Sequence, residues 1–262
     1  MLFRLLLIPI VLYLALCLLL YLRQERLLFY PTVLAADYRY SFSVPFEELS
    51  IPVNGAVLNV VHFRAAQPKG IVFYLHGNGD IIGFLGDTAE DFVALDYDLF
   101  MPDYRGYGKS TGTLDNETTF YNDMTVAYAY VHQHFLNLPI IIYGHSIGSG
   151  IAVHLAAEND PQRLILESPY YSLQSLVAEK MSWVPTSLLL KYPLRSDQWI
   201  ERVTVPITLI HGTADTLIPY ENSMRLLELI HGEKQLVTVE GGGHGNLRRS
   251  REWQEAMRKL LG

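Results

Sequence analysis

The chain opens on an apolar block. From Leu5 to Leu22 (LLLIPIVLYLALCLLLYL) no charged side chain occurs, with Arg4 before the block and Arg23 and Arg26 after it. At ~1.5 Å per residue its 18 residues span about 27 Å, close to the ~30 Å of a bilayer's hydrocarbon core. A cleaved signal peptide would need small residues at a cleavage site beyond the apolar core. Here the block runs straight into Leu-Arg-Gln-Glu-Arg. The pattern therefore predicts an uncleaved single-pass anchor with its flank over residues 1–30. Arginines stand on both sides, so the charge bias leaves the side of the following domain open.

Past a short connector the pattern changes period. Phe46–Val53 and Val57–Phe63 read as two strands, joined at Asn54-Gly55, a dipeptide that favours a tight hairpin. Short apolar runs then alternate with longer helical patterns. Strands are expected at 71–75, 98–102, 138–143, 163–167, 206–211 and 235–240. Helices are expected at 80–95, 116–135, 147–158, 220–230 and 247–261. A hairpin followed by strand–helix alternation predicts an α/β fold: a mostly parallel sheet with helices on both faces. Residues 168–205 break the alternation. They hold Trp183, Pro185, Tyr192, Pro193 and Trp199 among helix-like pieces, and are expected to form a small cap within a 31–262 domain.

Half of the 262 residues are hydrophobic, enough for one domain with a sizeable core, and the net charge of −7 argues against nucleic acid as a partner. A single cysteine, Cys17, excludes an internal disulfide. No C-x-x-C or H-E-x-x-H pattern occurs, so neither a metal nor another cofactor is expected.

Chemistry concentrates in three turns. Gly144-His145-Ser146-Ile147-Gly148 is a G-x-S-x-G pentapeptide between a strand pattern and a helix pattern. A serine on such a sharp turn projects its hydroxyl from the sheet edge, and the glycines let neighbouring backbone pass. A hydroxyl is a weak nucleophile and needs a base, which in turn needs an orienting carboxylate. His211-Gly-Thr-Ala-Asp215 follows one later strand, and Gly241-Gly-Gly-His244 follows the next. In a parallel sheet these strand ends share one edge, where reacting groups collect. The candidate catalytic residues are thus Ser146 as nucleophile, His244 as base and Asp215 as orienting acid, with Glu167 as the rival acid. The turn His76-Gly77-Asn78-Gly79 follows the strand at 71–75. The backbone N–H groups of Asn78 and Ile147 are the expected oxyanion donors.

These motifs, together with Asp103-Tyr-Arg-Gly-Tyr-Gly-Lys-Ser110, resemble those of the α/β-hydrolase superfamily. The HGNG and DYRGYG pair, the short cap and the apolar N-terminus are similar to the BEM46-like group of membrane-tethered serine hydrolases. The resemblance runs from about Phe46 to the C-terminus. It implies acyl transfer, in which Ser146 attacks, His244 takes and returns the proton, Asp215 holds the imidazole, and water hydrolyses the acyl-enzyme. The group includes esterases, thioesterases and peptidase-like proteins.

Three functions remain at this point. The first is hydrolysis of carboxylic esters or thioesters, with the anchor and the apolar cap pointing to acyl or lipid-like substrates near a bilayer. The second is a peptidase or amidase on the same fold, which would want a charged group to grip a peptide terminus; no acidic pair in the cap announces one, and Glu179 is the acid considered there. The third is a non-catalytic binding protein, against which the complete set of motifs speaks. His76 and His211, beside motif glycines, are expected to brace turns, and His145 to be a variable elbow position. His132 and His134 point to different helix faces and make a poor metal pair.

Overall fold

The computed structural model describes residues 2–262 and, within the first helix, side chains from Leu7 onward. Helix α1 runs Leu2–Leu28. Its stretch Leu7–Leu28, with mean hydropathy 2.0, is long and apolar enough to cross a membrane. Only 11% of that stretch is buried within the protein, so its leucines face outward, as in Leu12 and Leu14.

Strands β1 (Phe46–Val53) and β2 (Ala56–Phe63) form the expected hairpin, with Val53 opposite Ala56. Gly55 takes φ +75°, a left-handed conformation that only glycine enters freely. The remaining strands are β3 (Gly70–Leu75), β4 (Tyr97–Pro102), β5 (Ile140–His145), β6 (Arg163–Glu167), β7 (Ile207–Gly212) and β8 (Lys234–Val239). The sheet order is β1-β2-β4-β3-β5-β6-β7-β8. Pairing from β4 through β8 is parallel, and β1 and β2 run antiparallel at one edge. The C-terminal ends of β3 to β8 therefore line one rim.

Both faces are covered. Helices α3 (Glu117–His134), α4 (Ile147–Glu158) and α8 (Glu221–Leu229) belong to one side, where Phe73, Ile142, Leu166 and Leu209 point. Helices α2 (Gly86–Val93) and α9 (Arg251–Leu261) cover the other, packing Phe92 and Trp253 against Tyr143, Ile165 and Ile210. Burying side chains of this size stabilises the fold by ~1.5–3 kcal/mol each. Asn116 caps α3 by accepting from Thr119 N at 2.8 Å, worth about 1 kcal/mol.

Two expected helices are interrupted. Over 80–95 the chain makes a 3-10 turn at Ile82–Phe84 before α2 begins at Gly86. Gly83 and Gly86 weaken helix there, and the Ile82 N–H is taken by Asp103 Oδ1 at 3.0 Å. Over 247–261 Ser250 stops a 3-10 turn in extended backbone and caps α9 by accepting from Trp253 N. Between β6 and β7 lie α5 (Leu173–Lys180), α6 (Thr186–Leu189) and α7 (Ser196–Trp199), short helices that add no strand to the sheet.

Candidate active site

Ser146 lies between β5 and α4 at φ 53°, ψ −120°. Such backbone costs on the order of 1–3 kcal/mol and persists only where the surroundings enforce it. The flanking glycines show how. A Cβ on Gly148 would lie 2.3 Å from the Leu75 carbonyl oxygen, and one on Gly144 would lie 2.6 Å from the Ala152 Cβ. The elbow is thus pressed against the end of β3 and against its own helix.

The three distant turns meet. Ser146 Oγ lies 2.8 Å from His244 Nε2, and His244 Nδ1 lies 2.7 Å from Asp215 Oδ2. With Nδ1–H donating to the carboxylate, Nε2 is left as the acceptor facing the hydroxyl. The Asp215 side chain is fully buried and Ser146 is buried too, while the His244 side chain between them is 21% exposed.

Asp215 is held rigidly. Its Oδ1 accepts from the N–H groups of Leu217 and Ile218, both at 2.9 Å. Its Oδ2 also lies 3.3 Å from His211 Nε2. His211 is itself pinned, since Nε2 lies 2.9 Å from the Ile218 carbonyl and Nδ1 lies 2.6 Å from Ser223 Oγ. Burial alone would raise the Asp215 pKa. Hydrogen bonds from His211, His244 and Ile218 outweigh it and hold the carboxyl far below the usual carboxylate range.

Glu167, the rival acid, ends β6 between the strands that carry Ser146 and Asp215. Alternation along β6 puts it on the same face as Ile165, toward α9. There it accepts from the Tyr143 hydroxyl and from Trp253 Nε1. Its partners are structural, and His244 is already paired with Asp215.

His76 is fully buried, with Nδ1 against the Gly77 carbonyl at 2.9 Å and its ring 4.0 Å from that of Tyr104. Burial pushes its pKa down to about 4, the Gly77 carbonyl opposing. His145 is more engaged than a variable elbow position would be. Its Nδ1 lies 3.7 Å from Asp80 and its ring 5.7 Å from that of His244. Burial would lower its pKa, but Asp80 and Glu167 reverse the sign and raise it. A polar cleft of about 350 Å³ adjoins this pair, lined by Asp80, His145, Glu167, Asn246, Arg248 and Arg249. Sequence reading passed over this cluster, because the only signal was an Asp one residue beyond the HGNG turn.

The HGNG turn packs on the elbow. A Cβ on Gly77 would meet His145 Nδ1 at 2.8 Å, and Gly148 lies against the carbonyls of Leu75 and His76. The Asn78 side chain is fully engaged, with Tyr30 N and Tyr107 Oη donating to its Oδ1 and its Nδ2 donating to the Leu28 carbonyl. Asp103, Tyr104 and Tyr107 of the DYRGYG loop are buried behind this turn, and Tyr104 Oη donates to the His76 carbonyl at 2.7 Å. The loop braces the rim from behind.

Comparison with known proteins agrees with this architecture. The family model described as "Serine aminopeptidase, S33" matches residues 66–200, just over half of the chain. A protein of Mycobacterium tuberculosis named only as uncharacterised protein Rv2307c is 30% identical over 194 residues, covering 72% of this chain and 69% of its own. The zebrafish (Danio rerio) lysophosphatidylserine lipase ABHD12 is 27% identical over 200 residues, 66% of this chain, and this chain spans half of that relative's length. Among solved structures, the Pyrococcus furiosus esterase Pf2001 superposes with a TM-score of 0.72 at 18% identity, covering 88% of this chain and 97% of that one. The fold and the family match lead to one conclusion: the chain belongs to the α/β-hydrolase superfamily, in the family described as serine aminopeptidase S33.

Proposed function

We propose that the chain is a membrane-anchored serine hydrolase that cleaves carboxylic esters or thioesters through an acyl-enzyme at Ser146. The observation that carries the reading is the connected line of hydrogen bonds from Asp215 through His244 to Ser146 Oγ. On this reading residues 1–30 form the anchor and its flank. Residues 31–262 form the catalytic domain, with a cap at about 168–205.

The steps follow from the geometry. As Ser146 Oγ attacks the acyl carbon, its proton passes to His244 Nε2. The imidazolium that forms is stabilised by the buried Asp215 carboxylate. The carbonyl oxygen becomes an oxyanion, for which the N–H groups of Ile147 and Asn78 are the assigned donors; each such donor is typically worth ~3–4 kcal/mol in the transition state. His244 then returns its proton to the leaving alcohol or thiol. Water, deprotonated by the same imidazole, releases the acid and regenerates the serine.

Two features favour ester or thioester substrates of lipid-like character. The relative from zebrafish is named a lysophosphatidylserine lipase, and the Pyrococcus neighbour an esterase. The apolar helix α1 would also hold the rim close to a bilayer. The family's name suggests peptides, but Glu179, the acid considered for gripping a peptide amine, pairs with Arg225 at the surface. The test compares turnover of nitrophenyl esters of graded chain length with that of aminoacyl anilides, using full-length protein in detergent or liposomes. Preference for the esters, lost in Ser146→Ala, is expected; preference for the anilides overturns the substrate assignment. Retention of the protein in membranes after alkaline carbonate washing tests the anchor.

A further inference from the structure

We infer that the end of helix α1 is a working part of the oxyanion turn: it positions the Asn78 N–H through the Asn78 side chain, so the apolar helix is more than a tether. The inference rests on the acyl-enzyme reading above and on Asn78 as an oxyanion donor.

Asn78 stands between Gly77 and Gly79, and Gly79 takes φ +84°. Glycines on both sides leave the peptide units of this turn the greatest backbone freedom, so hydrogen bonds fix its orientation: His76 Nδ1 at 2.9 Å and Asp80 N at 3.3 Å hold the Gly77 carbonyl at one end of the peptide unit, and the Asn78 side chain holds the other. Two of that side chain's three hydrogen bonds go to the exit of α1. Nδ2 donates to the Leu28 carbonyl at 2.6 Å, and Tyr30 N donates to Oδ1 at 3.0 Å. The third comes from Tyr107 Oη at 2.9 Å. The Tyr30 carbonyl also borders Gly79, 3.9 Å from where a Cβ would stand. The backbone N–H of Asn78 has no acceptor among the described residues, which leaves it available to a ligand oxygen.

The helix exit is itself fixed to the domain. Gln24, buried near the end of α1, donates through Nε2 to the Leu189 carbonyl and accepts from Lys191 N through Oε1. Glu25 pairs with Lys191 at 2.8 Å. Phe29 packs edge-on against Tyr192 and Phe120. Beyond it, Gly108 N donates to the Thr32 carbonyl and Leu34 N to the Gly108 carbonyl. A load on α1 therefore reaches the 76–79 turn through two direct hydrogen bonds, and placement errors of about 1 Å at a reacting centre can cost a hundredfold in rate.

The experiment uses the full-length chain with a nitrophenyl ester and an alkyl trifluoromethyl ketone. Ser146 adds to the ketone to give a hemiketal whose oxygen occupies the oxyanion position. Asn78→Ala is expected to lower kcat ten- to a hundredfold with KM within threefold, and to weaken the ketone's Ki by the same factor as kcat/KM. Tyr30→Pro removes the helix-side N–H, together with the phenol that donates to the Leu27 carbonyl at the same helix exit, and is expected to lower kcat in the same way; combined with Asn78→Ala it should add nothing further. Circular dichroism establishes that each variant is folded, and if Tyr30→Pro is not, the parallel loss of Ki and kcat/KM in Asn78→Ala decides alone. Losses under threefold, a kcat loss with unchanged Ki, or losses that multiply in the double variant would overturn the inference. Turnover surviving in Ser146→Ala would instead sink the acyl-enzyme reading beneath it.

Discussion

Asp215 Oδ2 meets His244 Nδ1 at 2.7 Å while the opposite oxygen of the same carboxylate accepts two backbone N–H groups. One side of the acid is thus spent on holding the loop after β7, and the other on holding the imidazole from the loop after β8. The depressed Asp215 pKa is the electrostatic counterpart: the site is built to keep this carboxylate charged. Asp215→Asn keeps the shape but would favour the wrong imidazole tautomer, and is expected to lower kcat by about 10³–10⁴. Steady-state turnover of a nitrophenyl ester measures it, and a loss below tenfold would remove Asp215 from the role.

Glu167 gives the contrasting outcome. It is buried against Tyr143 and Trp253, on the face of β6 that looks toward α9. Glu167→Gln should lower the thermal midpoint by several degrees, since a buried carboxylate's hydrogen bonds are worth about 1.5–3 kcal/mol. Turnover per folded molecule should stay within about fivefold of the parent. A loss as deep as that of Asp215→Asn would mean the acids had been assigned in the wrong order.

The His76–Asp103 pair gives a pH prediction with opposing signs. Burial lowers His76 to about 4 and raises Asp103 to about 7, and the two side chains lie 3.6 Å apart. Between about pH 4 and 6.5 the folded state carries the pair as neutral imidazole and protonated carboxyl. The unfolded chain carries imidazolium and carboxylate there. Both states hold one proton, so the pair leaves stability flat across that window. In Asp103→Asn only the histidine remains. Its stabilising contribution is full above pH 6.5 and is lost as pH falls toward 4. Denaturant midpoints of that variant should therefore fall across this range more steeply than the parent's by about one proton's worth of slope. Parallel profiles would contradict the assignment.

Gly148 tests the strained elbow. The 2.3 Å approach of a Cβ to the Leu75 carbonyl leaves no flexible neighbour to move aside. Gly148→Ala must therefore shift α4 away from β3, at a cost of more than about 2 kcal/mol. Calorimetry should find a lowered midpoint, with activity lost alongside it. Parent-like values would mean the two elements are less tightly apposed.

Much of this was legible in the sequence because the strands are short apolar runs and the candidate triad sits where three of them end. The apolar runs expected at 138–143, 206–211 and 235–240 already place the three turns at a common rim, and the strands end within two residues of those bounds, at His145, Gly212 and Val239. The break at Ser250 and the interruption at Gly83 were hidden because apolar periodicity continues through both. The choice between Asp215 and Glu167 depended on which face of β6 the glutamate occupies. The parity of Ile165 and Glu167 carries that information, but only once the covering helices are placed. The bonds from Leu28 and Tyr30 to Asn78 had no sequence signal at all: about fifty residues separate the partners, and two of the three groups involved are main-chain atoms.

The central claim is that Ser146 is a nucleophile activated by His244. The most direct measurement is fluorophosphonate labelling of the folded full-length chain, followed by peptide mass spectrometry. The account predicts a single adduct on Ser146, formed at least a thousandfold more slowly in His244→Ala. No adduct in folded protein, or an adduct on a different serine, would contradict it.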